Sequence, residues 1–233
     1  MGRPTKYSSE LPQRCQALID RYCAQIGNDV DPNDDFDGPL KTTFLLAMAT
    51  PMVVLPLERI FKPAVWGEAG VADDVALDEG LSDRVKQVFG DNRPFGEAPF
   101  FREGVWTYVA ACRRFEVGRN WPDERLLELA SQDARAAALN APASEILSVI
   151  RNGLAHGGVT YLDGDGHQAQ RATEMLGFAS FVSRRDKTRL RLLRIGVSDF
   201  QEFLGLWTSW LLDSGAADAL AAGGPGHFYL AAE

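Results

Sequence analysis

Apolar residues recur at intervals of three and four along most of this chain, a spacing typical of amphipathic α-helices. Between residues 11 and 26 they form one continuous stripe. The run from residue 40 to residue 61 is apolar on nearly every side, so we predict a helix in the centre of the fold. Pro51 and Pro56 are expected to kink or divide it. Helical patterns also cover residues 73–89, 121–139, 144–155 and 199–212.

After Gly157 the period of the pattern changes from helical to two, which predicts strands. Three strands are predicted at residues 159–162, 175–183 and 188–195, with a turn at 163–166. We therefore expect a mainly α-helical protein, in which a helical bundle carries a small antiparallel β-hairpin or sheet near the C-terminus.

The domain organisation and composition are those of an ordinary globular protein. Neither an internal repeat nor a linker divides the sequence, so we expect one domain over residues 1–233. Its core is predicted at about residues 8–213, followed by a glycine-rich tail at 214–233. The net charge of −8 argues against a protein coated in positive charge for general duplex binding, although it leaves room for a local basic patch.

Cysteine usage and hydropathy indicate a cytoplasmic protein without a membrane segment. The three cysteines form neither a CxxC pair nor a Cys/His array, so we expect reduced packing thiols and no metal site. The start of the chain lacks the apolar core of a signal peptide. Residues 44–57 form the most apolar run, but it is too short to span a bilayer.

An aromatic segment at residues 100–109 leaves two interpretations open. Its rings either pack in the core or, if exposed beside basic groups, form a surface on which nucleic-acid bases stack.

The stretch Arg151–Asn152–Gly153–Leu154–Ala155–His156 carries the side chains best suited to phosphate-ester chemistry. Arginine offers a fixed charge and a planar fork for phosphate oxygens. The partial negative charge at a helix C-terminus favours protonated histidine, and histidine suits general acid–base work. Asn152 can orient the substrate or the imidazole. Together these groups offer what RNA cleavage without a metal requires.

The spacing of these side chains is less favourable than their chemistry. Asn152 and His156 are four residues apart and share a helix face. Arg151 and His156 differ by about 140° around an ideal helix, although Gly157 ends the helix and arginine is long. The alternative is a polar helix end, with Arg151 in a salt bridge and His156 as a cap. A glycine inside a helix suggests close approach of another backbone, such as a partner helix from a second copy, and Gly153 fits that description.

Residues 150–157 resemble the R-N-x3-H signature of the HEPN superfamily, within its broader R-x4-6-H pattern. The order of the predicted elements is similar as well. Residues 49–60, 157–166 and 194–207 resemble, more particularly, the stand-alone HEPN proteins encoded on plasmids. The resemblance covers roughly residues 11–212.

The resemblance implies a helical domain that forms a homodimer, with two Arg/His pairs in one cleft. In active members this is a metal-independent endoribonuclease that leaves a 2′,3′-cyclic phosphate. By position, Arg151 and His156 are expected to be catalytic and Asn152 to support them, without a cofactor. Members serve as toxins or in phage defence, which implies RNA and an antitoxin or regulatory protein as partners. Other members are inactive scaffolds, so the alternative is a non-catalytic dimeric module that binds a nucleotide or a protein.

Positive charge is concentrated on the second and third predicted strands. In the third, Arg189 and Arg191 alternate with leucines and give a basic outer face. That face is either an exposed, edge-protecting strand or a track for an RNA backbone. The candidate RNA-binding residues are Arg184, Arg185, Lys187, Arg189, Arg191 and Arg194.

Overall fold

A computed structural model describes residues 7–28, 40–67, 79–90, 92–169 and 172–213. The predicted tail at 214–233 lies outside these residues. The helices are α1 (Tyr7–Asn28), α2 (Lys41–Pro56), α3 (Glu79–Phe89), α4 (Asp123–Ala130), α5 (Gln132–Asn140), α6 (Ala143–His156) and α7 (Val197–Leu211). A π-helical segment, Leu57–Trp66, continues α2, and a 3₁₀ turn lies at Phe95–Glu97. The strands are β1 (Thr107–Arg113), β2 (Val159–Leu162), β3 (Met175–Phe181) and β4 (Arg189–Gly196).

The four strands form one antiparallel sheet in the order β1–β4–β3–β2. β3 and β4 pair continuously, from Met175 opposite Gly196 to Phe181 opposite Leu190. β1 pairs with the other side of β4, with a bulge between Val109 and Cys112. β4 is therefore an inner strand of the sheet.

The predicted fold class is wrong about the sheet. Its strands lie between residues 107 and 196, in the middle of the chain, so the protein is mixed α/β rather than a helical bundle with a small hairpin near the C-terminus. The hydrophobic pattern does not predict β1 because Thr107, Tyr108 and Val109 are buried one after another. A strand covered on both faces loses the alternation that marks a half-buried one.

The sheet divides the core into two clusters of buried side chains. On one face, Phe178 and Leu193 pack with the buried sides of α1, α2, α6 and α7. On the other, Leu192 packs with Trp121 and Leu129, which come from α4 and the segment before it. Because both faces of the sheet are covered by buried side chains, the sheet lies inside the protein.

The aromatic segment at residues 100–109 packs in the core. Phe100, Trp106 and Tyr108 are at most 2% exposed. The Trp106 ring meets Phe95 and Phe203 edge to face, with ring centroids 5.3 and 5.2 Å apart. These rings are therefore unavailable for stacking on bases.

The apolar helix α2 lies in the centre of the fold, as predicted. Leu45, Ala49 and Met52 are fully buried, and the carbonyl of Met52 accepts a hydrogen bond of 2.8 Å from Trp207 Nε1 on α7. By length and composition alone, Lys41–Lys62 could also cross a membrane. In this fold its buried side chains pack into the core cluster shared with α1, α6 and α7.

Candidate functional site

α6 carries the Arg151–His156 motif and ends with it. Its apolar face, including Ile146 and Ile150, is fully buried and fixes the rotation of the helix. Gly157 has a φ of 72°, and its N–H donates to the carbonyl of Gly153. This left-handed residue stops the helix, so His156 lies in the last turn with an exposed side chain.

The end of α6 is locked to β3 through glycines. The carbonyl of Gly158 accepts a hydrogen bond of 2.8 Å from the N–H of Ala179. A Cβ on Gly153 would lie 3.0 Å from Phe178 Cδ1 and 3.2 Å from the Gly158 carbonyl oxygen. The close neighbours of Gly153 therefore belong to the same chain: they are Phe178 on β3 and the backbone of Gly158, just after α6.

Arg151 is held in place from two sides. Its Nη2 forms a salt bridge with Glu58 Oε1 on the π-helical segment, and its Nη1 donates to Asn152 Oδ1 at 2.6 Å. Asn152 in turn donates to Ser148 Oγ at 3.4 Å. The Arg151 side chain is 19% exposed and its guanidinium is pre-oriented by these contacts. The predicted salt bridge to Arg151 is present together with the rest of the motif.

Glu58 links Arg151 to a second cation. Its Oε2 lies 2.5 Å from Lys62 Nζ. Burial opposes ionisation of Glu58, but the hydrogen bonds and charges of Lys62 and Arg151 outweigh it and hold the carboxyl pKa below its usual range. Two cations share one carboxylate here, so this group keeps a net positive charge.

The three motif side chains Arg151, Asn152 and His156 line one open-sided cleft of about 820 Å³. α6 forms one wall, the π-helical segment contributes Lys62, and residues 114–118 and 179–184 form much of the rest. The unfavourable angle between Arg151 and His156 therefore does not separate them, because both border the same cavity.

The cleft is strongly cationic in a protein whose net charge is −8. Glu116 is the only carboxylate among the described residues that line it. The lining cations are Lys62, Arg114, Arg151, Arg184, Lys187 and Arg191. This local excess of positive charge favours an anionic ligand.

The structure separates the six predicted RNA-binding residues into three groups. Arg184, Lys187 and Arg191 line the cleft. Arg185 and Arg189 are exposed outside it, and Arg189 Nε is 2.7 Å from Asp186 Oδ2. The interpretation of their strand as an edge-protecting strand is wrong, since β4 lies between β1 and β3.

Arg194, the sixth predicted residue, is only 8% exposed and lies on the α4 side of the sheet. Its Nη1 lies 2.5 Å from where a Cβ on Gly166 would be, so it packs on the hairpin after β2. Burial, and then the charge of Arg135, lower the pKa of Arg194. The structure does not bring Arg194 to the motif.

Arg191, which also lines the cleft, is braced by a second carboxylate. Its Nη2 is 2.6 Å from Glu145 Oε2, and the Tyr108 hydroxyl donates to Glu145 Oε1 at 2.5 Å. Burial and then the hydrogen bond to Glu145 raise the pKa of Tyr108 well above its usual range, so the hydroxyl stays protonated.

An aromatic ring lies within the cationic rim of the cleft. Lys187 Nζ is 4.3 Å from the centroid of the Phe181 ring, and Arg114 Cζ is 5.3 Å from it. These cation–π contacts hold two flexible cations against one ring in the lining of the cleft.

Sequence reasoning misses Glu58, Lys62, Arg114 and Glu145 as residues of the site. Glu58 and Lys62 do carry a local signal, an i,i+4 acid–base pair at the end of an apolar run. The pairing of Glu58 with Arg151 spans 93 positions, and no pattern in the sequence indicates it.

Among the described residues, no group of three or more His, Cys, Asp or Glu side chains is placed to hold a metal ion. No family model, curated protein or solved structure matches this chain.

Proposed function

We propose that this protein is a metal-independent endoribonuclease of the HEPN type. One observation carries the proposal: Arg151, Asn152 and His156 line the same cleft as five further cations. A cationic cleft in an acidic protein suits a polyanion, and the three motif side chains suit cleavage of a phosphodiester.

The proposed reaction requires neither water nor an added nucleophile. The ribose 2′-oxygen attacks the adjacent phosphorus, and the bond from phosphorus to the 5′-oxygen breaks. The 2′-hydroxyl proton leaves as the 5′-oxygen gains one, which yields a 2′,3′-cyclic phosphate and a 5′-hydroxyl. His156 serves this proton transfer, and Arg151 stabilises the charge on the phosphorane. Asn152 holds Arg151 through the hydrogen bond between their side chains.

The proposal includes a homodimer in the cytoplasm, in which two Arg/His pairs share one cleft. Support comes from the exposure of Ala155 and His156 at the end of α6, where a second copy can approach. A dimer also provides one histidine as base and another as acid. Sedimentation analysis tests this, and a monomer at working concentrations would count against the shared cleft.

The nuclease proposal is tested with purified protein and varied RNA substrates in EDTA. Wild type should cleave RNA to 2′,3′-cyclic phosphate ends, and His156→Ala should lose at least about a hundredfold in rate. His167→Ala is the matched control, since His167 is exposed on the hairpin after β2 and lies outside the cleft. If wild type and His156→Ala leave RNA equally intact, the proposal fails; strict dependence on magnesium would refute the mechanism.

A second candidate is a non-catalytic dimeric module that binds a nucleotide or a regulatory protein. The observation that favours it is the engagement of Arg151 by Glu58 and Asn152, which suits fixed recognition as well as catalysis. In that case Arg151→Ala weakens nucleotide binding, measured by calorimetry, while neither form cleaves RNA.

A further inference from the structure

Two arginines of the cleft share an arrangement that the motif does not explain. Arg151 is braced by Glu58 and Arg191 by Glu145, each through a terminal nitrogen. In each of them the Nε–H is buried and has no hydrogen-bond partner among the described residues. A buried donor without a partner costs about 1–3 kcal/mol, so the ion pairs hold both arginines in positions that are unfavourable for Nε. Both side chains line the cleft.

The side chains around Arg191 restrict its motion. Glu145 is fixed in turn by the Tyr108 hydroxyl. Ser180 lies directly opposite Arg191 in the β3–β4 register and also lines the cleft. An arginine held through one edge presents its remaining donors in a fixed direction, which suits a phosphate oxygen.

The two arginines are held by different carboxylates, Glu58 and Glu145. Glu145, which holds Arg191, is six residues before Arg151 on α6, about 9 Å along the helix axis. Asn152 and His156 lie beyond Arg151 toward the end of the helix. Arg151 and the carboxylate that holds Arg191 are therefore separated along α6, and the reaction at Arg151 and His156 uses only the first arginine.

We propose that Arg191, braced by Glu145 and Tyr108, is a second phosphate subsite that binds another phosphate of the same RNA strand. This inference rests on the proposed function for the identity of the strand. The subsite sets the register of the strand, so that the scissile phosphate lies at Arg151 and His156. Its contribution is to binding, and it takes no part in the proton transfer.

The test measures binding without cleavage. The probe is a fluorescein-labelled octanucleotide with 2′-O-methyl groups throughout, which removes the nucleophile, and the readout is fluorescence anisotropy. The variant is Glu145→Gln/Arg191→Met, which removes one cation and one carboxylate and leaves the net charge at −8. The amide oxygen introduced by Glu145→Gln still accepts the Tyr108 hydrogen bond.

The matched control is Arg125→Met/Glu128→Gln on α4. It also removes one ion pair, and its arginine is 19% exposed, against 21% for Arg191, but neither residue lines the cleft. We expect about tenfold weaker binding for the cleft variant and wild-type affinity for the control. Equal affinities for the three proteins, equal losses in both variants, or no binding by wild type would overturn the subsite.

Arg191→Lys covers the case in which the double variant does not fold, as judged by circular dichroism. Lysine keeps the charge beside Glu145 but lacks the planar fork, so we expect binding about threefold weaker than wild type. Wild-type affinity in folded Arg191→Lys would overturn the proposal.

The two proposals fail separately. Arg191-dependent binding by a protein that leaves RNA intact keeps the subsite and removes the nuclease. If the protein cleaves RNA and binds it independently of Arg191, the nuclease proposal stands and the subsite is refuted.

Discussion

Glu58 forms a salt bridge with Arg151 although 93 positions separate them in the sequence. Glu58 lies on the π-helical continuation of the central helix, and Arg151 lies one turn before the end of α6. The contact fixes the guanidinium at the cleft and links the π-helical segment to α6. The carboxylate also pairs with Lys62, so the cleft keeps a net positive charge here.

Glu58→Gln should lower the free energy of unfolding by about 1 kcal/mol at pH 7. The Glu58 pKa is held below its ordinary value of 4.5, against the effect of burial, by Lys62 and Arg151. Its contribution is therefore fully present above pH 4.5 and is lost as the pH falls through the folded-state pKa. Urea unfolding at a series of pH values from neutral into acid should show the difference between wild type and Glu58→Gln shrinking.

Glu103→Gln provides the control for this titration, because Glu103 is exposed and lies outside the cleft. A difference between wild type and Glu58→Gln that stays constant well below the ordinary carboxyl pKa would contradict the assignment of the lowered pKa to this ion pair.

The sequence predicts the placement of the motif well because local rules decide it. The apolar stripe through Ile146 and Ile150 sets the buried face of α6, and Gly157 supplies the left-handed stop. Long-range pairing lies beyond those rules. Nothing near Glu145 in the sequence indicates that Arg191 is its partner, because the partnership depends on how β4 enters the sheet.

The sheet itself is only partly predictable for a related physical reason. β2 is short and half-exposed, so its alternation can be recognised. The first three residues of β1 are all buried, so in the sequence they continue the aromatic segment. Because the sequence pattern does not predict β1, β4 is expected to be the last strand of a hairpin. Arg194 is then predicted to belong to a basic outer face, although in the fold it is buried on the α4 side.

The exit of α6 provides a second prediction from two adjacent glycines. A Cβ on Gly158 would lie 2.3 Å from the Ala179 carbonyl oxygen, so Gly158→Ala must push α6 away from β3. Gly157 has a φ of 72° and open space around it, so Gly157→Ala meets only the backbone penalty. We expect losses of about 2–3 kcal/mol for Gly158→Ala and about 1 kcal/mol for Gly157→Ala in urea unfolding. Equal losses would show that contact with Ala179 is unimportant.

Arg194 offers a prediction in the stabilising direction. It is buried without an ion-pair or hydrogen-bond partner for its side chain among the described residues, and burial together with Arg135 lowers its pKa. Arg194→Met keeps the aliphatic stem and removes the charge, so thermal unfolding should show a gain of about 1 kcal/mol. Arg189→Met, an exposed change on the same strand, should stay within about 0.5 kcal/mol of wild type. A clear loss of stability in Arg194→Met would mean that the buried charge has a partner.

The rim of the cleft provides the last prediction, which separates long-range attraction from local recognition. Lys187 lines the cleft and lies over Phe181, whereas Arg185 is exposed in the same turn outside it. Lys187→Met should weaken binding of the non-cleavable octanucleotide and reduce the slope of log affinity against log salt by about 0.7, the value for one phosphate contact on a single strand. Arg185→Met has the same change in net charge and should leave the slope within error of wild type. If both variants reduce the slope equally, the attraction comes from the overall charge of the protein and the cleft does not direct it.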